Sequence, residues 1–210
     1  MTLAVVGHSV QGRPIEALHV SHPGAPRVLV VGCIHGNEPA GIAVVRALEH
    51  VRTREDLWLV PDLNPDGVAR GTRQNARGVD LNRNFPGTWR PIGRPWNVYY
   101  SGSRPFSEPE ARVARDLILR IHPQYTIWFH QHLDAVWAFG GSTRAGRRYA
   151  RLAGMRLLHQ RWLDGTAANW QNHLAHGGAS FTVELPAGRL DANGIRRQVA
   201  AVLRLPFAAP

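Results

Sequence analysis

Two residues, His35 and Glu38, stand three apart in Ile34-His35-Gly36-Asn37-Glu38, just after an apolar run at 27–33. A neutral imidazole nitrogen and a carboxylate oxygen are both good zinc donors. A turn leading from a strand into a helix lets residues at this spacing converge. A third donor has to come from another strand end, and His130 closes the run Tyr125-Thr126-Ile127-Trp128-Phe129. His132, two residues further on, is the competing candidate, because alternate residues of an extended chain share a face. Two histidines and one carboxylate leave a fourth position open, the arrangement of a catalytic zinc centre. Such a centre needs a base. Glu184 is a single carboxylate in the otherwise apolar Phe181-Thr182-Val183-Glu184-Leu185. A carboxylate buried there requires a partner or a role in proton transfer; a surface position on an edge strand is the alternative. Arg70, Arg73 and the pair Asn82-Arg83 lie between the two halves of this set. Guanidinium groups can polarise a carbonyl or clamp a carboxylate in bidentate fashion. In so basic a chain, solvated loop arginines are the competing reading. Cys33 reads as a buried strand cysteine, not a ligand.

The elements that must hold these residues follow from periodicity. Residues 3–10 and 14–20, joined by Gln11-Gly12-Arg13-Pro14, read as a hairpin at a sheet edge. The continuous apolar runs at 27–33 and 57–60 read as strands covered on both faces. Helical spacing spans about 38–51. Residues 64–104, rich in Gly, Pro, Asn and Arg, read as a long functional loop. Ser107-Glu108-Pro109-Glu110 reads as a capping box opening a helix to about Ile121. Beyond it come a strand at 125–129, a basic amphipathic helix at 143–158, a strand at 179–185 and a closing helix at 191–203. Strands alternating with helices predict an α/β three-layer sandwich, its mixed, largely parallel central sheet flanked by helices. Sites in such sheets gather at the carboxyl ends of strands.

Composition narrows the class. The 210 residues are 44% hydrophobic and 19% charged, which suits one globular domain over 1–210. A single cysteine excludes an intramolecular disulfide framework. No apolar run is long enough for a membrane span, and the first residues lack the pattern of a signal peptide, so the chain reads as cytoplasmic with no membrane partner. The net charge is +10, and all 25 basic residues are arginine. That uniformity points to compositional bias over selection for phosphate binding. The densest stretch, Arg144, Arg147, Arg148, Arg151, Arg156 and Arg161, reads as a solvated helix face, and nucleic acid is not expected as a partner.

Taken together, His35-x-x-Glu38, Asn64-Pro65-Asp66-Gly67, Gly78-Val79-Asp80-Leu81-Asn82-Arg83-Asn84-Phe85-Pro86, Ser107-Glu108-Pro109-Glu110, His130 and Glu184-Leu185-Pro186 resemble the M14 zinc carboxypeptidase family. They occur in that family's order over residues 10–205. Within it the chain looks most like the compact bacterial branch that includes murein peptide amidase. The resemblance implies that His35, Glu38 and His130 bind one Zn2+. It also implies that Glu184 is the general base and then the acid, and that Asn82 and Arg83 hold the substrate's terminal carboxylate. For the oxyanion it offers both Arg73, matched to the bacterial branch, and Arg70, matched to the digestive enzymes. The implied partner is a small peptide with a free carboxylate, and a murein peptide by the branch. Two departures stand out. The stretch 164–179 lacks the tyrosine that digestive carboxypeptidases carry there, leaving Trp170 or His173 to line that part of the pocket. The chain is also shorter, so its specificity loops are trimmed. His132 would face substrate. The alternatives are a deacylase of the aspartoacylase or succinylglutamate desuccinylase kind, which shares the zinc pattern, and a basic non-catalytic binding protein.

Overall fold

The structure is a computed structural model that describes residues 1–206; positions 207–210, the end of the span expected to form one domain, lie outside the described residues. Eight strands form one sheet: β1 (Thr2–His8), β2 (Pro14–Val20), β3 (Arg27–Val31), β4 (Asp56–Val60), β5 (Tyr125–Gln131), β6 (Ala135–Trp137), β7 (Arg156–Leu158) and β8 (Ala179–Leu185). Their order is β1-β2-β4-β3-β5-β8-β6-β7. The central four, β4-β3-β5-β8, are mutually parallel. The β1–β2 hairpin closes one side antiparallel, and β6 pairs antiparallel with β8 on the other.

The helices are α1 (Ala40–Leu48), α2 (Pro65–Arg70), α3 (Pro109–Ile121), α4 (Thr143–Ala153), α5 (Ala167–Asn172) and α6 (Ala192–Arg204). Strand alternation sorts the core into two halves. Val28 and Val30 of β3, Ile127 and Phe129 of β5, and Phe181 and Val183 of β8 pack with α1, α4 and α6. Leu29, Val31 and Trp128 face the other way, toward α3 and α5. The three-layer sandwich is therefore as expected, with helices on both faces of a mixed sheet.

Three local expectations need correction. The helix expected over 143–158 stops at Ala153, where Gly154 adopts a left-handed conformation (φ 66°) that ends it. The residues beyond it return to the sheet as β7. The long loop over 64–104 is not structureless. Its first residues form α2, with Asn64 Oδ1 accepting from the Gly67 N–H at 3.0 Å as the helix cap. A 3-10 turn follows at Leu81–Arg83. The Ser107–Glu110 motif is not a capping box either. Glu108 is the residue before α3 and makes no side-chain cap. Instead Glu108 and Glu110 both accept from Asn75 Nδ2, at 2.8 and 3.1 Å, and Glu110 also accepts from the Val10 N–H. The motif ties the loop, the N-terminal hairpin and α3 together through buried polar contacts.

Candidate metal centre and active site

The residues between β3 and α1 carry His35 and Glu38 to the carboxyl edge of the sheet. This turn is locked against the Asn64–Gly67 turn. A Cβ on Gly36 would sit 1.9 Å from the Gly67 carbonyl carbon, so only glycine allows the two backbones to touch. Asn64 Nδ2 donates to the Ile34 carbonyl at 3.1 Å, just before His35. His130 lies near the end of β5, and in the sheet register it sits directly beside Glu184 of β8. Registered neighbours in a parallel pair point to the same face. Along β8 that face carries Ser180, Thr182 and Glu184, while Phe181, Val183 and Leu185 enter the core. The polar row was present in the sequence, and it aims Glu184 at the site.

Three donor atoms converge. His35 Nδ1 is 3.0 Å from Glu38 Oε2, His130 Nδ1 is 3.0 Å from the same oxygen, and the two Nδ1 atoms are 3.1 Å apart. Ligands about 2.0–2.1 Å from a tetrahedral zinc stand roughly 3.3 Å from one another, so this spacing fits the ion closely. All three side chains are buried, and among the described residues they form the one convergent His/Cys/Asp/Glu group of this kind. The chemistry of the set also fits. His35 Nε2 lies 2.9 Å from Asp80 Oδ1. A proton on Nε2 donated to that carboxylate leaves the Nδ1 lone pair free for a metal.

Asp80 is the hub behind the centre. It is fully buried, receives the Arg73 Nε–H at 3.0 Å on its second oxygen, and accepts from the Asn82 N–H at 2.9 Å. Burial works against its charge, but His35, Arg73 and Arg83 hold its carboxyl well below the usual carboxylate range. Burial opposes charge on Glu38 too, yet His35 and His130 keep it ionised far below its ordinary value. His35 is desolvated, and the carboxylates of Asp80 and Glu38 nonetheless raise its pKa. The Cys33 thiol, pushed up chiefly by burial, donates to the His35 carbonyl and stays out of the donor set.

The centre opens into a cavity of about 160 Å3, lined by His35, Glu38, Arg73, Asn82, Arg83, Tyr99, His130, Gln131, Trp137, Trp162, Leu163, Thr166, Thr182 and Glu184. Of the two oxyanion candidates, Arg73 is in this wall and donates Nη1 to Glu38 Oε1 at 2.8 Å. Arg70 is exposed on α2 and stacks over Trp96. Asn82 accepts from the Ala167 N–H at 3.0 Å, and its amide nitrogen stands 3.3 Å from His130 Nε2. Arg83 is only 7% exposed, and burial lowers its pKa. His132 lies past the end of β5, exposed and outside the cavity wall. Trp170 is 8% exposed and packs against Phe85 and Phe106, in the core beside the site and not in its lining. His173 is also exposed on the outside of that segment. Sequence reasoning assigned no role to Tyr99, Trp162 or Leu163. They come from irregular loops, whose three-dimensional course no periodicity encodes.

A second cavity of about 490 Å3 adjoins the first, sharing Arg83, Tyr99, Trp162 and Leu163 and adding Arg90, Ile92 and Asp164. No helix among the described residues is long and apolar enough to cross a membrane.

The profile of the zinc carboxypeptidase family, Peptidase_M14, matches residues 1–179. Murein peptide amidase A of Escherichia coli K12 is 34% identical over 147 residues, covering 62% of this chain and 59% of that protein. The chain thus spans about three-fifths of the length of this curated relative. Among solved structures, murein-tripeptide amidase MpaA from Escherichia coli O157 superposes with a TM-score of 0.79 at 25% identity, over 99% of this chain and 92% of that one. Carboxypeptidase A from Helicoverpa armigera superposes with a TM-score of 0.81 at 20% identity, over 98% and 68% of the two chains. With its convergent His-Glu-His donors and a profile match over most of its length, the chain belongs to the M14 zinc carboxypeptidase family.

Proposed function

We propose that the chain, acting as one catalytic unit, is a zinc-dependent carboxypeptidase or amidase that hydrolyses the amide bond to the C-terminal residue of a small peptide. The observation that carries this reading is the state of Arg83. Its guanidinium is nearly buried, and its one side-chain hydrogen bond among the described residues runs to the neighbouring Asn82 carbonyl at 2.7 Å. No Asp or Glu among the described residues forms an ion pair with it. A buried cation with no carboxylate in ion-pair contact is costly. In a cavity shared with three convergent zinc donors and Glu184, the missing partner is the terminal carboxylate of a substrate.

His35, Glu38 and His130 would hold one Zn2+, which when bound acidifies water and withdraws electron density from a carbonyl oxygen. Glu184 takes the attacking water's proton and returns it to the leaving nitrogen. Arg73 has five N–H groups, of which two are engaged with Glu38 and Asp80, and the remaining three are available to the oxygen where negative charge develops. Asn82 and Arg83 fix the departing carboxylate, which restricts cleavage to chain ends. A murein peptide is the proposed substrate, supported by the likeness to murein peptide amidase A.

Glu184→Gln is expected to retain stoichiometric zinc and lose about 10²–10⁴-fold in kcat. Arg83→Ala is expected to raise KM for free-carboxylate peptides and to leave the weak binding of their C-terminal amides unchanged. Near-normal turnover by Glu184→Gln would remove it as the base. A KM indifferent to Arg83 would remove the carboxylate clamp.

A further inference from the structure

Arg83 and Arg73 are two cations of one small cavity, and one aromatic ring lies against both. The Tyr99 ring centroid is 5.1 Å from the Arg83 guanidinium carbon and 5.6 Å from that of Arg73. Both distances are within the range of cation–π attraction. The two arginines differ in their other partners. Arg73 is hydrogen-bonded to both Glu38 and Asp80, whereas the one side-chain hydrogen bond of Arg83 among the described residues runs to the Asn82 carbonyl. Burial is the first cause that lowers the pKa of Arg83; the charge of Asp80 works against it, and the proximity of Arg73 adds to it, because like charges this close disfavour each other. The negative face of a phenol ring offsets that repulsion without neutralising either group, as a carboxylate would. A carboxylate in this position would compete with an anionic substrate.

The loop that carries Tyr99 is fastened to the segment that carries the arginines. The Asp80 N–H donates to the Tyr100 carbonyl at 2.8 Å, and the Trp96 N–H to the Gly78 carbonyl at 3.0 Å. Gln74 Nε2 donates to the Asn97 carbonyl at 3.1 Å. Tyr99 itself is 52% exposed and lines both adjoining cavities, so core packing does not account for its position.

We infer that Tyr99 is a positioning residue for substrate carboxylate binding: its ring holds Arg83 in the cavity beside Arg73 as a receptor for the departing residue's carboxylate. This rests on the carboxylate-clamp reading of Arg83. The ring acts, not the hydroxyl. Tyr99→Phe therefore keeps the function, and Tyr99→Leu, apolar but without a π face, loses it.

The test uses zinc-loaded protein bearing Glu184→Gln, so that binding is read without turnover. The probes are murein tripeptide and the same tripeptide with the departing residue's carboxylates amidated, titrated by calorimetry. Tyr99→Leu is expected to weaken binding of the acid roughly 5- to 30-fold, with no more than about a twofold change for the amide, while Tyr99→Phe binds both as the parent does. In the Glu184 background the same loss shows as KM, with kcat unchanged. Equal affinity of the Leu and parent proteins for the acid, where Arg83→Ala has weakened it, would overturn the inference alone. A loss shared by Phe and Leu would assign the role to the hydroxyl and overturn it too. Acid binding indifferent to Arg83→Ala, or absent in the parent, would overturn the clamp reading and this inference with it.

Discussion

At the scale of single residues, the chemistry rests on burial balanced by specific partners. Asp80 shows the pattern: a carboxylate with no solvent contact, held ionised by His35 and Arg73, orients one zinc donor and one cavity arginine at once. Asp62 shows the reverse. It precedes the Asn64 turn, and burial pushes its carboxyl up to about 6, more than the Asn64 N–H at 2.8 Å and the charge of Arg46 bring it down. An unfolded aspartate titrates near ~3.9. Below that pH both states are protonated. As pH rises toward 6, the unfolded chain has released its proton and the folded chain still holds one, so stability falls and levels off above the folded value. Asn at this position cannot ionise and still offers an oxygen to the Asn64 N–H. Asp62→Asn is therefore expected to match the parent at pH 4 and exceed it by on the order of 2 kcal/mol at pH 7.5. Denaturant unfolding across that range checks it; an offset independent of pH would contradict it.

At the scale of elements, the site is assembled by three strand ends and two interlocked turns. The contact of Gly36 with Gly67 is the tightest of these joints. Gly36→Ala must separate the His35–Glu38 turn from the Asn64–Gly67 turn. The expected cost is about 2–4 kcal/mol in unfolding free energy, together with weaker zinc uptake. Unchanged unfolding and metal affinity would show that the two turns are not coupled. The sequence made legible those elements whose pattern is long or doubly marked. The apolar run of β3, the Pro-led helix α3 and the single carboxylate of β8 were all recognisable. β6 and β7 were not, because three residues carry too little alternation to separate a strand from a loop or a helix end. The six-residue α5, capped by Thr166, sits in a stretch of Asn, Gly and His that masks it. For the site, residues at strand ends were legible, since alternation fixes their direction. Tyr99, Trp162 and Leu163 were not, since their approach to the cavity depends on how irregular segments fold back.

At the scale of the whole molecule, the strong positive charge and the active site are separate matters. Arg144, Arg147, Arg148 and Arg151 lie on α4, and Arg196, Arg197 and Arg204 on α6, and neither helix contains an Asp or Glu. The amphipathic stretch beginning at 143 thus forms a helix whose Arg144, Arg147 and Arg151 are exposed, whose half-buried Arg148 donates to the Leu205 carbonyl at 3.1 Å, and whose alanines and Tyr149 enter the core. The cavity draws instead on Arg73 and Arg83, two arginines fixed by the fold and aimed at one opening. Together these arginines, the three zinc donors and Glu184 make the proposed carboxypeptidase centre. Mass spectrometry of products tests it most directly. Zinc-loaded protein is incubated with murein tripeptide, mixed peptides, their C-terminal amides and N-acyl amino acids, with and without a chelator. Chelator-sensitive loss of one C-terminal residue is expected from free-carboxylate peptides and none from the amides. Release of acyl groups alone, or cleavage indifferent to the terminal carboxylate, would contradict it.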